Sequence, residues 1–316
     1  MRQEERYIAR IQFKSKLLGA NGQSFEDLVI RVLQSSKKDF RPVKPQGREG
    51  DKKNDGFIKS TGTYFQCYAP EDLTNKEKDT IAKLQSTIGE LIEFWKDISP
   101  VKEFCYVLND KYVGVFPSIE RELAQIEKTY KIKANPFLCK DIEDEFLALS
   151  DNDIIDILGG FLPDYTCIND IDVSAIGEVI NHLVNLPYSK PKETFPDDLN
   201  FLLKIKFNNL SEHYGQLLTS ASHSDYLLAQ YFTYNSNFLK EDLKNVFSQL
   251  YKEGLEIINK SLEEKSDIVF DYILKKASPR NALSIVNAVL VLMAHYFESC
   301  DIFEEPKVEV QQSLFK

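Results

Sequence analysis

The hydrophobic period of this chain changes once, near residue 150, and that change restricts the fold more than any other feature of the sequence. Before it, apolar residues recur at helical and at two-residue spacing by turns; beyond it only the helical spacing remains. Phe25, Leu28, Val29, Val32 and Leu33 form an apolar stripe that predicts a helix from Phe25 to about Gln34, capped by Ser24. Phe40 to Lys44 reads as a short strand ended by Pro45. Asp55–Lys59 and Thr63–Ala69 read as the two strands of a hairpin joined through a Ser-Thr-Gly turn. A long amphipathic helix is predicted over 75–95, a strand over 102–108, a helix over 118–130 opened by Pro117, and a strand over 131–138. The order is α-β-β-β-α-β-α-β.

The second half predicts helices alone. Residues 150–162 read as a capped helix broken at Gly159-Gly160, 172–186 as another, and 187–196 as a proline-punctuated linker. Residues 200–235 and 239–276 are helical by pattern. Ser278 and Pro279 read as the cap and first position of a nearly all-apolar helix to Phe297, of the kind buried among other helices or in a dimer interface. The expected organisation is an α/β domain over 1–150 followed by an all-α domain over 151–316.

Charge follows a similar division. The 316 residues carry 49 acids against 39 Lys and Arg, a net −10 that argues against a uniformly basic nucleic-acid module. The first 60 residues, however, hold 14 Lys and Arg against 8 acids and carry +6, which leaves −16 for the remainder. Cys67, Cys105, Cys139, Cys167 and Cys300 are far apart and lack a CxxC pair, so they read as buried thiols of a reducing cytoplasm. The apolar run 282–297 contains Ser284, Asn287 and His295 and falls short of the roughly 20 residues a membrane span needs. A cytoplasmic protein without a membrane partner is expected. No GxxxxGK[ST] loop and no GxSxG elbow is present, and the four histidines lack metal-ligand spacing.

The chemistry is concentrated in PQGREGDKKNDGFIKSTGTYFQCYAPED, residues 45–72. Alternation across the hairpin puts Ile58, Phe65 and Cys67 on one face and Asp55, Gln66 and Tyr68 on the other, with Asp55 near Tyr68 across the ladder. A carboxylate and an amide oxygen held together on a hairpin suit a hard divalent cation such as Mg²⁺. The Cys67 carbonyl and Glu26, on the preceding helix, are further candidate ligands. Lys44, Arg48, Lys52 and Lys53 crowd the same stretch, as a groove that tracks phosphates requires.

A helix bearing Glu, three strands, an Asp at the start of the second and a Gln on the third resemble the PD-(D/E)xK, or restriction-endonuclease-like, nuclease superfamily. GDKKNDG…YFQCYAP is similar to the nuclease-like N-terminal segments of bacterial anti-phage and restriction systems, including Mrr-like nucleases and ABC-three-component proteins. The resemblance spans residues 20–140 in topology and 47–72 in motif. It implies a restriction-endonuclease-like core, Asp55, Gln66 and Glu26 as the Mg²⁺ or Mn²⁺ site, and metal-dependent hydrolysis of DNA in antiviral defence. Asp51 competes with Asp55 for the metal-binding position.

The motif's lysine is replaced by Tyr68, which cannot supply positive charge. Lys59, Lys44, Lys52 or Lys53 could take that role; alternatively the scaffold binds nucleic acid or a partner without cutting, as an interaction or sensor subunit. The helical half is expected to form a homodimer or dock a partner ATPase or sensor.

Overall fold

A computed structural model describes residues 1–44, 54–70, 77–159, 162, 173–187, 201–233, 237–258, 262–299 and 301–306. The chain forms two compact units, one of residues 16–157 and the other of residues 1–15 together with 158–316. The opening helix, α1 (Gln3–Gly19), contributes to both.

The unit of residues 16–157 contains a five-stranded sheet. Its elements after α1 are α2 (Gly22–Ser36), β1 (Phe40–Pro42), β2 (Gly56–Ile58), β3 (Thr63–Tyr68), α3 (Glu77–Trp95), β4 (Glu103–Leu108), α4 (Pro117–Tyr130), β5 (Lys133–Phe137), α5 (Cys139–Leu147) and α6 (Asp151–Leu158). The strands lie in the order β1-β2-β3-β4-β5. The first three run antiparallel to one another, and β3–β4 and β4–β5 are parallel. Helices α3 and α4 cover one face, where Leu84, Ile88, Leu91, Ile119, Leu123 and Ile126 enclose Phe57, Tyr64, Phe104 and Tyr106. Helix α2 packs against β1, β3 and α5. Its stripe of Phe25, Leu28, Val29, Val32 and Leu33 is buried as the spacing predicts. Each such side chain contributes about 1.5–3 kcal/mol of burial.

Several local details differ from the sequence reading. Helix α2 begins at Gly22 with Asn21 as its cap, and Ser24 sits inside the first turn. There the Ser24 hydroxyl accepts from the Asn21 N–H at 3.0 Å and donates to the Asn21 carbonyl at 2.8 Å. The hydroxyl reaches backward, so a Ser read as a cap is an N3 residue. Strand β2 is only three residues long, and its register pairs Gly56 with Phe65, Phe57 with Tyr64 and Ile58 with Thr63. The Asp55 N–H, one residue before the strand, donates to the Phe65 carbonyl, which sets Asp55 beside Phe65 and Gln66 rather than beside Tyr68. The reason is the longer connection, Lys59–Gly62, which closes with Gly62 at φ +73°. The division of faces itself is as expected.

The turn after β4 seals the end of α1. Asn109 Nδ2 donates to the carbonyls of Leu17 at 3.0 Å and Ala20 at 2.7 Å, and Lys111 Nζ donates to those of Leu18 at 2.5 Å and Ala20 at 2.8 Å. These are terminal carbonyls with no intrahelical partner. Burial pushes the Lys111 ammonium down to about 8.

The other unit is helical among its described residues: α7 (Val173–Val184), α8 (Phe201–Phe207), α9 (Glu212–Ser222), α10 (Asp225–Thr233), α11 (Asn237–Ile257), α12 (Lys265–Ala277) and α13 (Leu283–Glu298). The apolar helix is α13, which starts at Leu283. Ser278 instead terminates α12, its N–H donating to the Lys275 carbonyl and its hydroxyl to that of Leu274 at 2.7 Å. A Ser-Pro pair serves either end of a helix; here the preceding helix claims the hydroxyl. Residues of α13 from Ile285 to Phe297 are nearly all buried, packed against α7, α9, α10 and α12 within the unit.

A Cβ at Gly62 would lie 2.8 Å from the Pro100 carbonyl oxygen. Gly62→Ala combines that clash with a positive φ and is expected to cost roughly 1–3 kcal/mol. The urea midpoint should fall with the m-value unchanged.

Candidate functional site

Strand β3 is the centre of the site. Its sequence, TYFQCY, is buried through Cys67, with β2 on one side and β4 on the other. Gln66 therefore projects from the middle of a two-sided core strand, with only 5 % of its surface exposed. Asp55 stands just before β2, tied into the ladder by its own backbone. Its N–H donates to the Phe65 carbonyl at 2.9 Å, and its carbonyl accepts from Val43 at 3.0 Å.

The two predicted side chains converge. Gln66 Nε2 lies 3.4 Å from Asp55 Oδ2, and the Cys67 N–H donates to the same oxygen at 2.5 Å. A carboxylate bonded to a backbone N–H of the neighbouring strand is fixed in orientation, and such charge-assisted bonds are among the stronger ones. The Gln66 Oε1 atom is buried with no protein partner, and so are both polar atoms of the fully buried Asn54. Orphaned buried amides of this kind cost about 1–3 kcal/mol each.

Two further charges act at the same place. Burial is the main cause that pushes the Cys67 thiol up, followed by the carboxylates of Asp55 and Glu26, and the Lys83 ammonium opposes them. Asp55, Glu26 and Lys83 come from the start of β2, from α2 and from α3. Glu26 is half-buried and Lys83 exposed. Lys83 Nζ sits 4.7 Å from the centre of the Tyr68 ring, which in turn stacks on Tyr106 at 6.3 Å. The sequence reading missed Lys83. It lies some 15 residues beyond the hairpin, and only the docking of α3 over β3 brings it to Tyr68.

The remaining candidates are distributed unevenly. Lys59 lies in the turn at the other end of β2, about 13 Å along the strand from Asp55 at ~3.3 Å per residue. Lys44 follows Val43, whose N–H meets Asp55, so it stands at the Asp55 end and is exposed. Arg48, Asp51, Lys52 and Lys53 lie outside the described residues. Cys67 meets Asp55 through its N–H, which brings the strand backbone that carries the candidate carbonyl to the pair. Among the described residues no group of three or more His, Cys, Asp and Glu is placed to hold a metal ion. The oxygen donors at hand are the Asp55 carboxylate and the orphaned Gln66 Oε1. That set suits Mg²⁺, which is commonly held by one or two carboxylates and keeps several waters.

Comparison with known proteins bears on the other unit. Residues 174–304 match the family model for C-terminal domain 10 of the ABC-three component (ABC-3C) systems. The match supports an anti-phage defence setting and covers none of the sheet. No curated protein and no solved structure matches the chain. No described helix is long and apolar enough to cross a membrane.

Because the Asn54 side chain makes no hydrogen bond among the described residues, Asn54→Leu loses none and buries a near-isosteric apolar group. Unfolding by urea should show stability raised by about 1 kcal/mol. A loss of that size or more would mean that the amide is satisfied in solution.

Proposed function

We propose that the sheet unit is a divalent-cation-dependent endonuclease acting on DNA, built on a restriction-endonuclease-like core, within an ABC-three-component defence system. The observation that carries this reading is the convergence of Asp55 and Gln66, with the Lys83 ammonium over the ring of Tyr68 two residues further along the same strand. The helix, antiparallel three-strand meander, helix and parallel strand support it as the topology expected from the motif. The matched domain of the other unit supports the defence setting.

In this reading Asp55 and the orphaned oxygen of Gln66 hold Mg²⁺ or Mn²⁺, with Glu26 as the nearby second carboxylate. The bound cation supplies Lewis-acid activation of water and neutralises charge on the phosphate. The chain's own groups position the reactants. The Cys67 N–H fixes the Asp55 carboxylate, and the ring of Tyr68, stacked on Tyr106, seats the Lys83 ammonium. A cation over such a ring is stabilised by about 0.5–1 kcal/mol at an exposed site. The ammonium then contributes positive charge against a non-bridging phosphate oxygen, the part that Tyr68 itself cannot play. Lys44, at the same end of the sheet, is placed to contact the DNA backbone, with Arg48, Lys52 and Lys53 of the preceding loop assigned the same task. Lys59, at the opposite end of β2, has no part in the chemistry.

Plasmid DNA incubated with the full chain and Mg²⁺ or Mn²⁺ should be cleaved. Asp55→Asn should abolish cleavage, Lys83→Ala should lower it about 100-fold or more, and Lys59→Ala should leave it within a factor of about three. Adding Tyr68→Lys to Lys83→Ala should recover part of the loss by returning the cation to the strand. Absence of cleavage of any DNA by the parent, with its companion components present, would leave the unit as a non-catalytic interaction module.

A further inference from the structure

The helical unit contains a cavity that the nuclease reading does not use. It has a volume of about 580 Å³ and lies between the end of α8, the end of α11, the start of α12 and the segment at Phe303–Glu304. That size is within the usual range of roughly 300–1,000 Å³ for ligand sites. Its walls include Phe207, Tyr251, Val269 and Phe303, with the rings of Tyr251 and Phe303 5.1 Å apart. At its mouth stand the exposed carboxylates of Glu256 and Glu304 and one exposed ammonium, Lys265.

The wall of the cavity is fixed by hydrogen bonds through Asn208. Asn208 Nδ2 donates to the Glu304 carbonyl at 2.8 Å, and Asn208 Oδ1 accepts from the Glu304 N–H at 2.8 Å. Ser266 Oγ donates to the Asn208 carbonyl at 2.5 Å, which fixes α12 to the same residue. Asn209 and Phe303 are both left-handed, at φ +52° and +63°. Each costs of order 1–3 kcal/mol and persists because the surroundings determine it. The rim is thus preorganised, which lowers the ordering cost of binding.

We infer that this cavity receives an arginine side chain presented by a partner protein. The Glu304 carboxylate accepts the Tyr251 hydroxyl at 3.3 Å and keeps further acceptor capacity. An anion would meet two carboxylates against one ammonium, and a neutral apolar group would leave Glu256 and the rest of Glu304 unused. A guanidinium on its methylene stem satisfies both parts. The stem packs against Val269 and Phe303, the planar cation lies against the aromatic faces, and its N–H groups reach the carboxylates in the paired geometry that lysine cannot match. A protein, rather than a free metabolite, is the source because the cavity lies within the segment matching a domain of three-component systems. The unit that holds the cavity has 18 Lys and Arg against 24 acids, and this net −6 favours approach of a basic partner surface.

Calorimetric titration of the full chain with acetyl-Ala-Arg-Ala-amide, its citrulline counterpart and agmatine tests the assignment. The arginine peptide should bind at least about tenfold more tightly than the neutral citrulline peptide. Glu256→Gln with Glu304→Gln should weaken it at least about tenfold while near-UV dichroism stays unchanged, and Asp55→Asn should have no effect. Equal binding of the arginine and citrulline peptides, or no binding of either, overturns the assignment. Binding of agmatine without the peptide also overturns it, in favour of a small organic cation. Because the readout is independent of DNA cleavage, its failure is distinguishable from failure of the nuclease reading.

Discussion

Strand β3 has neighbours on both edges and helices over both faces, and the rest of the sheet unit is arranged to permit that. A strand so enclosed must satisfy every backbone group through the ladders and every side chain through the two flanking layers. Tyr64 meets the demand by stacking on Phe57 and donating its hydroxyl to the Ser99 carbonyl at 2.6 Å. Phe65 meets it against Phe40 and Phe137. Gln66 meets it only in part. Its amide nitrogen finds Asp55, while its oxygen finds nothing in the protein. A sequence under no functional constraint would carry an apolar residue there at lower cost. Asp55 in turn depends on β3, because the Cys67 N–H that fixes its carboxylate belongs to the strand's backbone.

Much of this was legible in the sequence because it follows from periodicity. The α2 stripe, the division of faces on the hairpin and the break at Gly159, which adopts φ +113°, all depend on residues close to one another in the chain. The pairing of Asp55 with Gln66 was legible only as proximity. The exact partner depended on the number of residues in the Lys59–Gly62 connection, and one residue of slip exchanges faces. Ser24 and Ser278 misled because a hydroxyl near a helix end can serve either side of it. Lys83 was not legible at all. An exposed lysine on an amphipathic helix looks like solvated surface until the packing of α3 selects which turn of that helix lies over Tyr68.

The charge division noted in the sequence also changes meaning with the fold. The unit of residues 16–157 holds 21 Lys and Arg against 25 acids, so its net charge is −4 and it is not basic as a whole. Within this unit the excess of positive charge is regional: residues 37–55, between α2 and β2, hold seven Lys and Arg against four acids. The compensating acids lie on the later helices, with Asp151, Asp153 and Asp156 on α6 and Asp141, Glu143, Asp144 and Glu145 on α5. Under the proposed function, a unit charged in this way would orient a polyanion instead of attracting it uniformly. At physiological ionic strength the field decays over about 8 Å, so local groups decide where a phosphate rests.

Tyr68 then acquires a positive explanation. A lysine at the end of β3 would project from the strand as a point charge beside Tyr106, whose hydroxyl burial pushes well above its usual range. A tyrosine extends the aromatic surface instead, stacking on Tyr106 and presenting a face to solvent-exposed α3. The Lys83 ammonium lies over that face, on a helix anchored by Leu84 and Ile88. Under the proposed function, the cation that the motif carries on the strand is supplied from the helix. In the proposed site, the charge opposite the phosphate is therefore coupled to the docking of α3, and anything that shifts that helix alters the site without touching Asp55 or Gln66.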